Sequence, residues 1–219
     1  MVISENIIRR GKKILFYLII SHLGYVILLI WIPVYITPTI AYQALSGKRI
    51  EKKWVSLNKI SDAMQQAAIA SEDQDFDNHF GFDVKAIEKA IEYNKTHKKT
   101  KGASTITQQV AKNVFLWQRR DFVRKILEAY FTVLIELMWS KKRILEVYLN
   151  VAEMGDGVFG CEAAAQKYFH ISAANLTDEQ AALIIACLPN PILYKVTSPS
   201  EFIRTKQRWI LSQMDKIDW

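Results

Sequence analysis

From Ile14 to Ile36 no side chain carries a charge, and Ile, Leu, Tyr, Val and Trp dominate the run. As a helix these 23 residues would span roughly 34 Å, enough to cross a hydrocarbon core. A cleaved signal peptide is the competing reading. The run is longer than the apolar core of a typical signal, however, and no small-x-small site follows it directly. The pattern therefore predicts an uncleaved transmembrane helix over 14–36, with Ser21, His22, Gly24 and Pro33 tolerated inside it. Arg9, Arg10, Lys12 and Lys13 precede the span, and no basic residue follows it until Lys48. The bias of positive charge toward the cytoplasm keeps residues 1–13 inside and exports everything after residue 36. Trp31, Tyr35 and Tyr42 fall where an outer aromatic belt would lie.

The 219 residues then leave room for a connector, 37–53, and one exported domain, 54–219, long enough to bury a proper core. The net charge of +7 is concentrated. Between Lys85 and Lys125 eleven Lys or Arg oppose only Glu88, Glu92 and Asp121, a local excess of +8. Nucleic acid would explain such a patch in a cytoplasmic protein, but the exported topology argues against it. Anionic lipid headgroups or a diphosphate-bearing substrate suit it better, and about half of these side chains need be no more than a solvated face. Cys161 and Cys187, the two cysteines, sit in an Ala-rich run and an apolar run, which predicts buried thiols rather than a disulfide framework. No His/Cys spacing resembles a zinc site.

Beyond the connector every segment reads as helix or loop, and the fold class is all-α. Ser61 caps a helix reaching Glu72, and Asp83 caps another with the apolar stripe Val84, Ile87 and Ile91. Residues 94–102 form a basic, aperiodic loop, and Ser104 opens the next helix. Phe122 to Trp139 is the strongest amphipathic helix, with Phe122, Ile126, Ala129, Tyr130, Val133, Leu134, Leu137 and Met138 on one broad face. Ser140 starts a helix through Leu149. Thr177 and Gln180 make a capping box for a helix that stops at Pro189-Asn190-Pro191.

Two stretches carry chemistry. Glu72-Asp73-Gln74-Asp75-Phe76-Asp77-Asn78-His79-Phe80-Gly81 gathers carboxylates where a helix ends, and acidic groups there oppose the macrodipole at a local cost. Gly102-Ala103-Ser104-Thr105-Ile106-Thr107-Gln108-Gln109-Val110-Ala111-Lys112-Asn113 is a poor helix-forming set crowded with side-chain donors. On a helical wheel Thr105, Gln109 and Lys112 share one side, while Ile106, Val110 and Asn113 gather on another. Arg124 and Glu128, spaced i,i+4, read as a helix-face ion pair. His79 reads as a structural hydrogen-bonder. A carboxylate cluster beside a donor-rich, cation-tipped segment suits attack by a sugar hydroxyl with departure of an anionic leaving group.

These two segments, with Arg124-Lys125-x-x-Glu128 and Arg143-Ile-Leu-Glu146-x-Tyr148-Leu-Asn150, resemble glycosyltransferase family 51, the peptidoglycan glycosyltransferase domain. The resemblance covers roughly 54–213, and no catalytic position departs from the pattern. Asn150 to Ala165 resembles the Gram-negative members most, and one anchor without a transpeptidase fits the monofunctional type. The resemblance implies a lysozyme-like helical domain with a small membrane-embedded lobe, polymerising lipid II into β-1,4-linked glycan and releasing undecaprenyl diphosphate. It implies Glu72 as general base toward the acceptor 4-hydroxyl and Glu128 as second acid. Lys112, Arg120 and Arg124 would face the diphosphate. Ser104, Thr105, Gln108, Gln109 and Asn113 would line the site, and Asp73, Phe76 and His79 would shape it around Glu72.

No cofactor is required on this view; magnesium or manganese stimulates some members, and no ligand cage is readable. Expected partners are lipid II, the growing glycan strand, membrane lipids, and penicillin-binding or division proteins, with no nucleic acid. The expected location is the inner membrane, single-pass, with a periplasmic domain. A lytic hydrolase using Glu72 as an acid, or an anchored cell-wall scaffold, stand as alternatives.

Overall fold

The computed structural model describes residues 2–97, 102–119, 121–217 and 219. It divides into two units, Met1–Pro33 and Val34–Trp219.

The first unit is one helix, α1 (Val2–Leu28). The expectation of a helix over 14–36 is corrected at both ends. The helix starts well before the basic cluster, and it ends at Leu28. Beyond it the N–H groups of Ile30 and Trp31 donate three residues back, to Ile27 and Leu28, while those of Leu29 and Ile32 still donate four back, to Tyr25 and Leu28, a mixed turn that closes the helix. Pro33 supplies the reason: it has no N–H to donate, and it pushes the residue before it out of helical geometry. The charge-free part of α1, residues 14–28, spans roughly 22 Å. Among the described residues no helix is long and apolar enough to cross a membrane.

The second unit is mostly helical. Its helices are α2 (Pro38–Leu45), α3 (Asp62–Glu72), α4 (Val84–Thr96), α5 (Ile106–Phe115), α6 (Phe122–Met138), α7 (Lys141–Val151), α8 (Cys161–Phe169), α9 (Asp178–Cys187) and α10 (Glu201–Met214). The starts read from Ser61, Asp83, Ser140 and Thr177 are where the chain caps its helices, each side-chain oxygen accepting a backbone N–H of the first turn. The basic loop read over 94–102 begins later, since α4 runs to Thr96, and 98–101 lie outside the described residues.

The all-α expectation is corrected by a small sheet of β1 (Glu51–Lys52), β2 (Glu153–Gly155) and β3 (Val158–Phe159). The order is β1-β3-β2, with β3 parallel to β1 and antiparallel to β2. Strands of two or three residues are too short to show a period of two, so no alternation betrayed them. The turn Asp156-Gly157 joins β2 to β3, with Gly157 at φ +71°.

α9 is the hub. Every residue from Ala181 to Cys187 is buried, which explains its lack of a polar face, and α3 and α10 pack against it. Both cysteines are free and buried; burial pushes the Cys161 thiol up to about 12 and that of Cys187 to about 11. Asn150, fully buried, binds the chain before α3 to α7: its Oδ1 accepts the Val55 N–H and its Nδ2 donates to the Val55 and Glu146 carbonyls, all at 2.8–2.9 Å.

The amphipathy of α6 is as read, and its apolar face is the outward one. Its buried residues are Arg124, Glu128, Thr132 and Ile135. Phe122, Val123, Ile126, Tyr130, Val133 and Leu137 are exposed, Phe122 to 80% and Leu137 to 66%. Arg124 and Glu128 are buried against each other, Arg124 Nη1 lying 2.7 Å from Glu128 Oε2, and the exposed Lys125 pairs with the other carboxylate oxygen. Glu136 accepts from Thr107 of α5 at 2.6 Å and from Lys141 of α7 at 2.9 Å. The stripe on α4 is likewise outward, with Val84 and Ile91 exposed.

Candidate active site

A cavity of about 370 Å³ opens in the second unit. Glu72, the last residue of α3, lies in its wall with Gln109, Lys112 and Asn113 of α5. Tyr148 and Glu153 line it from α7 and β2, Thr37, Thr39 and Gln43 from α2 and its cap, and Gln118 and Pro189 from loops.

Both Glu72 oxygens are engaged. Ser71 Oγ donates to Oε1 at 3.0 Å and Gln109 Nε2 donates to Oε2 at 3.0 Å. Two donors hold the carboxylate in one orientation, as a positioned proton acceptor requires. Gln109, Lys112 and Asn113 share a helical face by their i, i+3, i+4 spacing. This corrects the wheel reading, which put Asn113 on the apolar side and Thr105 beside Gln109.

Thr105 and Gln108 are buried and committed to the fold. Thr105 is the N-cap of α5 in a reciprocal box with Gln108, and its hydroxyl donates to the Gly81 carbonyl at 2.7 Å. The helix thus begins at Ile106 rather than Ser104. Ser104 is exposed and outside the cavity lining.

Asp73 is buried and clamps the two motifs together. Its Oδ2 accepts the Ile106 N–H at 2.9 Å, one of the unpaired donors at the start of α5, and its Oδ1 lies 2.8 Å from His79 Nε2. That clamp sets the register bringing Gln109 to Glu72. Phe76 is a core residue between His79 and Trp219, with the Lys141 ammonium 4.6 Å from its ring centre. Arg124 and Glu128 form their buried pair and are not among the residues lining the cavity. Arg120 lies outside the described residues.

Burial alone would lower the His79 pKa, but the hydrogen bond and charge of Asp73 outweigh it and hold the imidazole above its ordinary value. A folded pKa raised above the unfolded one stabilises the protein below the unfolded value, about 6.5. That contribution is lost as pH rises through the folded pKa. His79→Gln should therefore lower Tm most in mildly acidic buffer, and the gap to wild type should narrow at alkaline pH. A gap of constant size across that range would dismiss the charged pair.

Several cavity residues were not picked out from sequence. Tyr148 is fully buried, and its phenol is held protonated by burial and then by Glu72 and Asp73. Glu153 accepts from Gln43 Nε2 at 3.0 and 3.1 Å. Outside the lining, Lys206 of α10 also feels Glu72: burial lowers its pKa and that carboxylate pulls the other way. Tyr148 and Glu153 lie in stretches that carried the family resemblance, and that was their only signal. Gln43 and Gln118 stand among residues of ordinary composition.

The transglycosylase family profile matches residues 39–215. This chain belongs to the transglycosylase family. It is 53% identical over 209 residues to the biosynthetic peptidoglycan transglycosylase of Bdellovibrio bacteriovorus, covering 93% of this chain and 83% of that one. Over 162 residues it is 59% identical to proteins of the same description from Shigella sonnei and Escherichia coli K12, covering 74% of this chain and 67% of each relative. The profile match begins inside the stretch read as a connector, where Thr39 and Gln43 already contribute to the cavity of this transglycosylase.

Proposed function

We propose that this chain is a peptidoglycan glycosyltransferase. It polymerises lipid II into β-1,4-linked glycan strands for cell wall synthesis and releases undecaprenyl diphosphate. The observation that carries the reading is the Glu72 carboxylate, oriented by Ser71 and Gln109 in a cavity that also holds Lys112. Glu72 takes the proton from the acceptor 4-hydroxyl as its oxygen attacks the anomeric carbon of the donor sugar, and the bond from that carbon to the diphosphate breaks. One displacement at an α-linked donor gives a β product. The departing diphosphate needs cations more than a proton, and Lys112 supplies one. Glu128 acts at one remove, by holding Arg124 and Lys125 in place along α6.

No resident cofactor enters this reading, and magnesium or manganese would act as a stimulant. The two carboxylates lining the cavity, Glu72 and Glu153, are each engaged by side-chain donors, which suits acid–base work better than a cation cage. The test is purified protein in detergent given lipid II. Polymer is expected; shortened glycan from preformed strands would instead mark a lytic hydrolase, and neither product a scaffold.

The enzyme works in the cell envelope. The finer placement proposed is the inner membrane, single-pass, with the catalytic domain periplasmic and Arg9, Arg10, Lys12 and Lys13 on the cytoplasmic side. The outward apolar faces of α4 and α6 support a small lobe embedded in lipid, which would bring the cavity to a substrate that never leaves the membrane. Penicillin-binding or division proteins are proposed partners. A periplasm-active reporter fused after Trp219 should be active and a cytoplasm-active one silent; the reverse pattern would overturn the topology.

A further inference from the structure

Another cavity, of about 500 Å³, opens at the ends of α3 and α7 remote from Glu72. Asp62 and Gln65 line it from the start of α3, and Lys142, Arg143 and Glu146 from the first half of α7. Asp62 is the first residue of α3 and Glu72 the last, roughly 15 Å apart along the axis. The two cavities share no lining residue. Trp219 forms the apolar wall. Its Nε1 donates to Gln65 Oε1 at 2.9 Å, and its ring centre lies 5.6 Å from that of Phe76. The charges divide into two sets. Arg143 Nη1 lies 2.6 Å from Glu146 Oε2, with its guanidinium over the Trp54 ring, and Glu146 Oε1 accepts the Leu57 N–H at 3.2 Å. That pair is committed to the fold. Lys142 and Asp62 are exposed, and among the described residues no ion pair engages either.

We propose that this cavity binds a small zwitterion of the amino-acid or short-peptide class. Its carboxylate meets Lys142, its ammonium meets Asp62, and its carbon body lies against Trp219. The volume falls in the range of small-molecule sites, and the charge pattern selects the class. A plain anion would meet Lys142 but share the space with the Asp62 and Glu146 carboxylates. A plain cation would meet Asp62 but sit beside Lys142 and Arg143. An uncharged sugar would use neither charge. One ligand carrying both signs satisfies both exposed groups, and the indole offers apolar contact to the atoms between them. Exposed ion pairs are worth little singly, so binding should be weak and should draw on both. No step of the function proposed above enters this inference.

The test titrates alanyl-alanine into the full chain in detergent, beside its N-acetyl form, which lacks the ammonium, and its C-amide, which lacks the carboxylate. The readout is the indole N–H resonance of Trp219, identified by its loss in Trp219→Phe. Free dipeptide should shift that resonance saturably. Each blocked form should bind about fivefold more weakly, the upper end of what an exposed ion pair supplies. In Lys142→Gln, amidation should cost nothing further while acetylation keeps its effect; Asp62→Asn should show the converse. Both side chains are exposed and outside the catalytic cavity lining, so the fold and lipid II turnover should stand. Should a variant misfold, the blocked peptides probe the same contacts on the unaltered protein. No shift at Trp219, or equal binding of the three peptides, would overturn the proposal. Weakening on amidation alone would mark a plain anion site and would overturn it too.

Discussion

Glu72→Gln should leave a folded protein whose polymerisation of lipid II is lowered at least about 100-fold, the low end of what a positioned general base contributes. The substitution keeps volume and shape and removes the proton acceptor. Its structural cost should be modest, because Glu72 is half-exposed at the end of α3 and its partners Ser71 and Gln109 can rotate. Both donors now point at oxygens, and an amide can accept at only one of the two positions, so the Ser71 hydroxyl would turn to accept from its NH2. A small fall in Tm is thus compatible with the role, whereas unchanged turnover is not. Asp73→Asn separates chemistry from architecture. Asp73 serves the Ile106 N–H and His79, so its loss should show first in Tm and in the registry of α5, with a milder effect on turnover than Glu72→Gln.

The caps were legible in the sequence because capping is local: Ser61, Asp83, Ser140 and Thr177 each bind an N–H within three residues. Glu72 was legible for the opposite reason, as a carboxylate placed where local electrostatics disfavour it. What escaped was set by partners distant in the chain. The polar stripe of α6 packs inward with Glu136 meeting the Thr107 hydroxyl of α5 and the Lys141 ammonium of α7, while Arg124 and Glu128 pair within the helix, leaving its apolar stripe outside. Periodicity reports that a helix has two faces, not which one meets the core. A protein bordered by lipid can turn the apolar one outward. Thr105 and Gln108 were misplaced for a related reason. Their hydroxyl and amide suit a ligand as well as a cap, and only the Gly81 carbonyl and the α5 N-terminus decide between the two. The short strands and the contribution of Gln43 and Gln118 to the cavity had no local signature at all.

Lys112→Gln tests the anionic leaving group directly. Lys112 lines the cavity three residues beyond Gln109, whose amide donates to Glu72. Gln shortens the stem but keeps much of its packing, so the fold should persist. If the ammonium acts as charge develops on the departing diphosphate, kcat should fall by about 2–4 kcal/mol of barrier, which is about 30- to 1000-fold. Substrate affinity should change far less. Simple attraction of an anionic substrate makes a different prediction: added salt would imitate the substitution, and only KM would move. The basic excess between Lys85 and Lys125 makes that alternative concrete, since ten other cations could still draw lipid II to the surface. Normal turnover at saturating lipid II would therefore remove Lys112 from the chemistry and leave it as one more basic side chain beside a membrane.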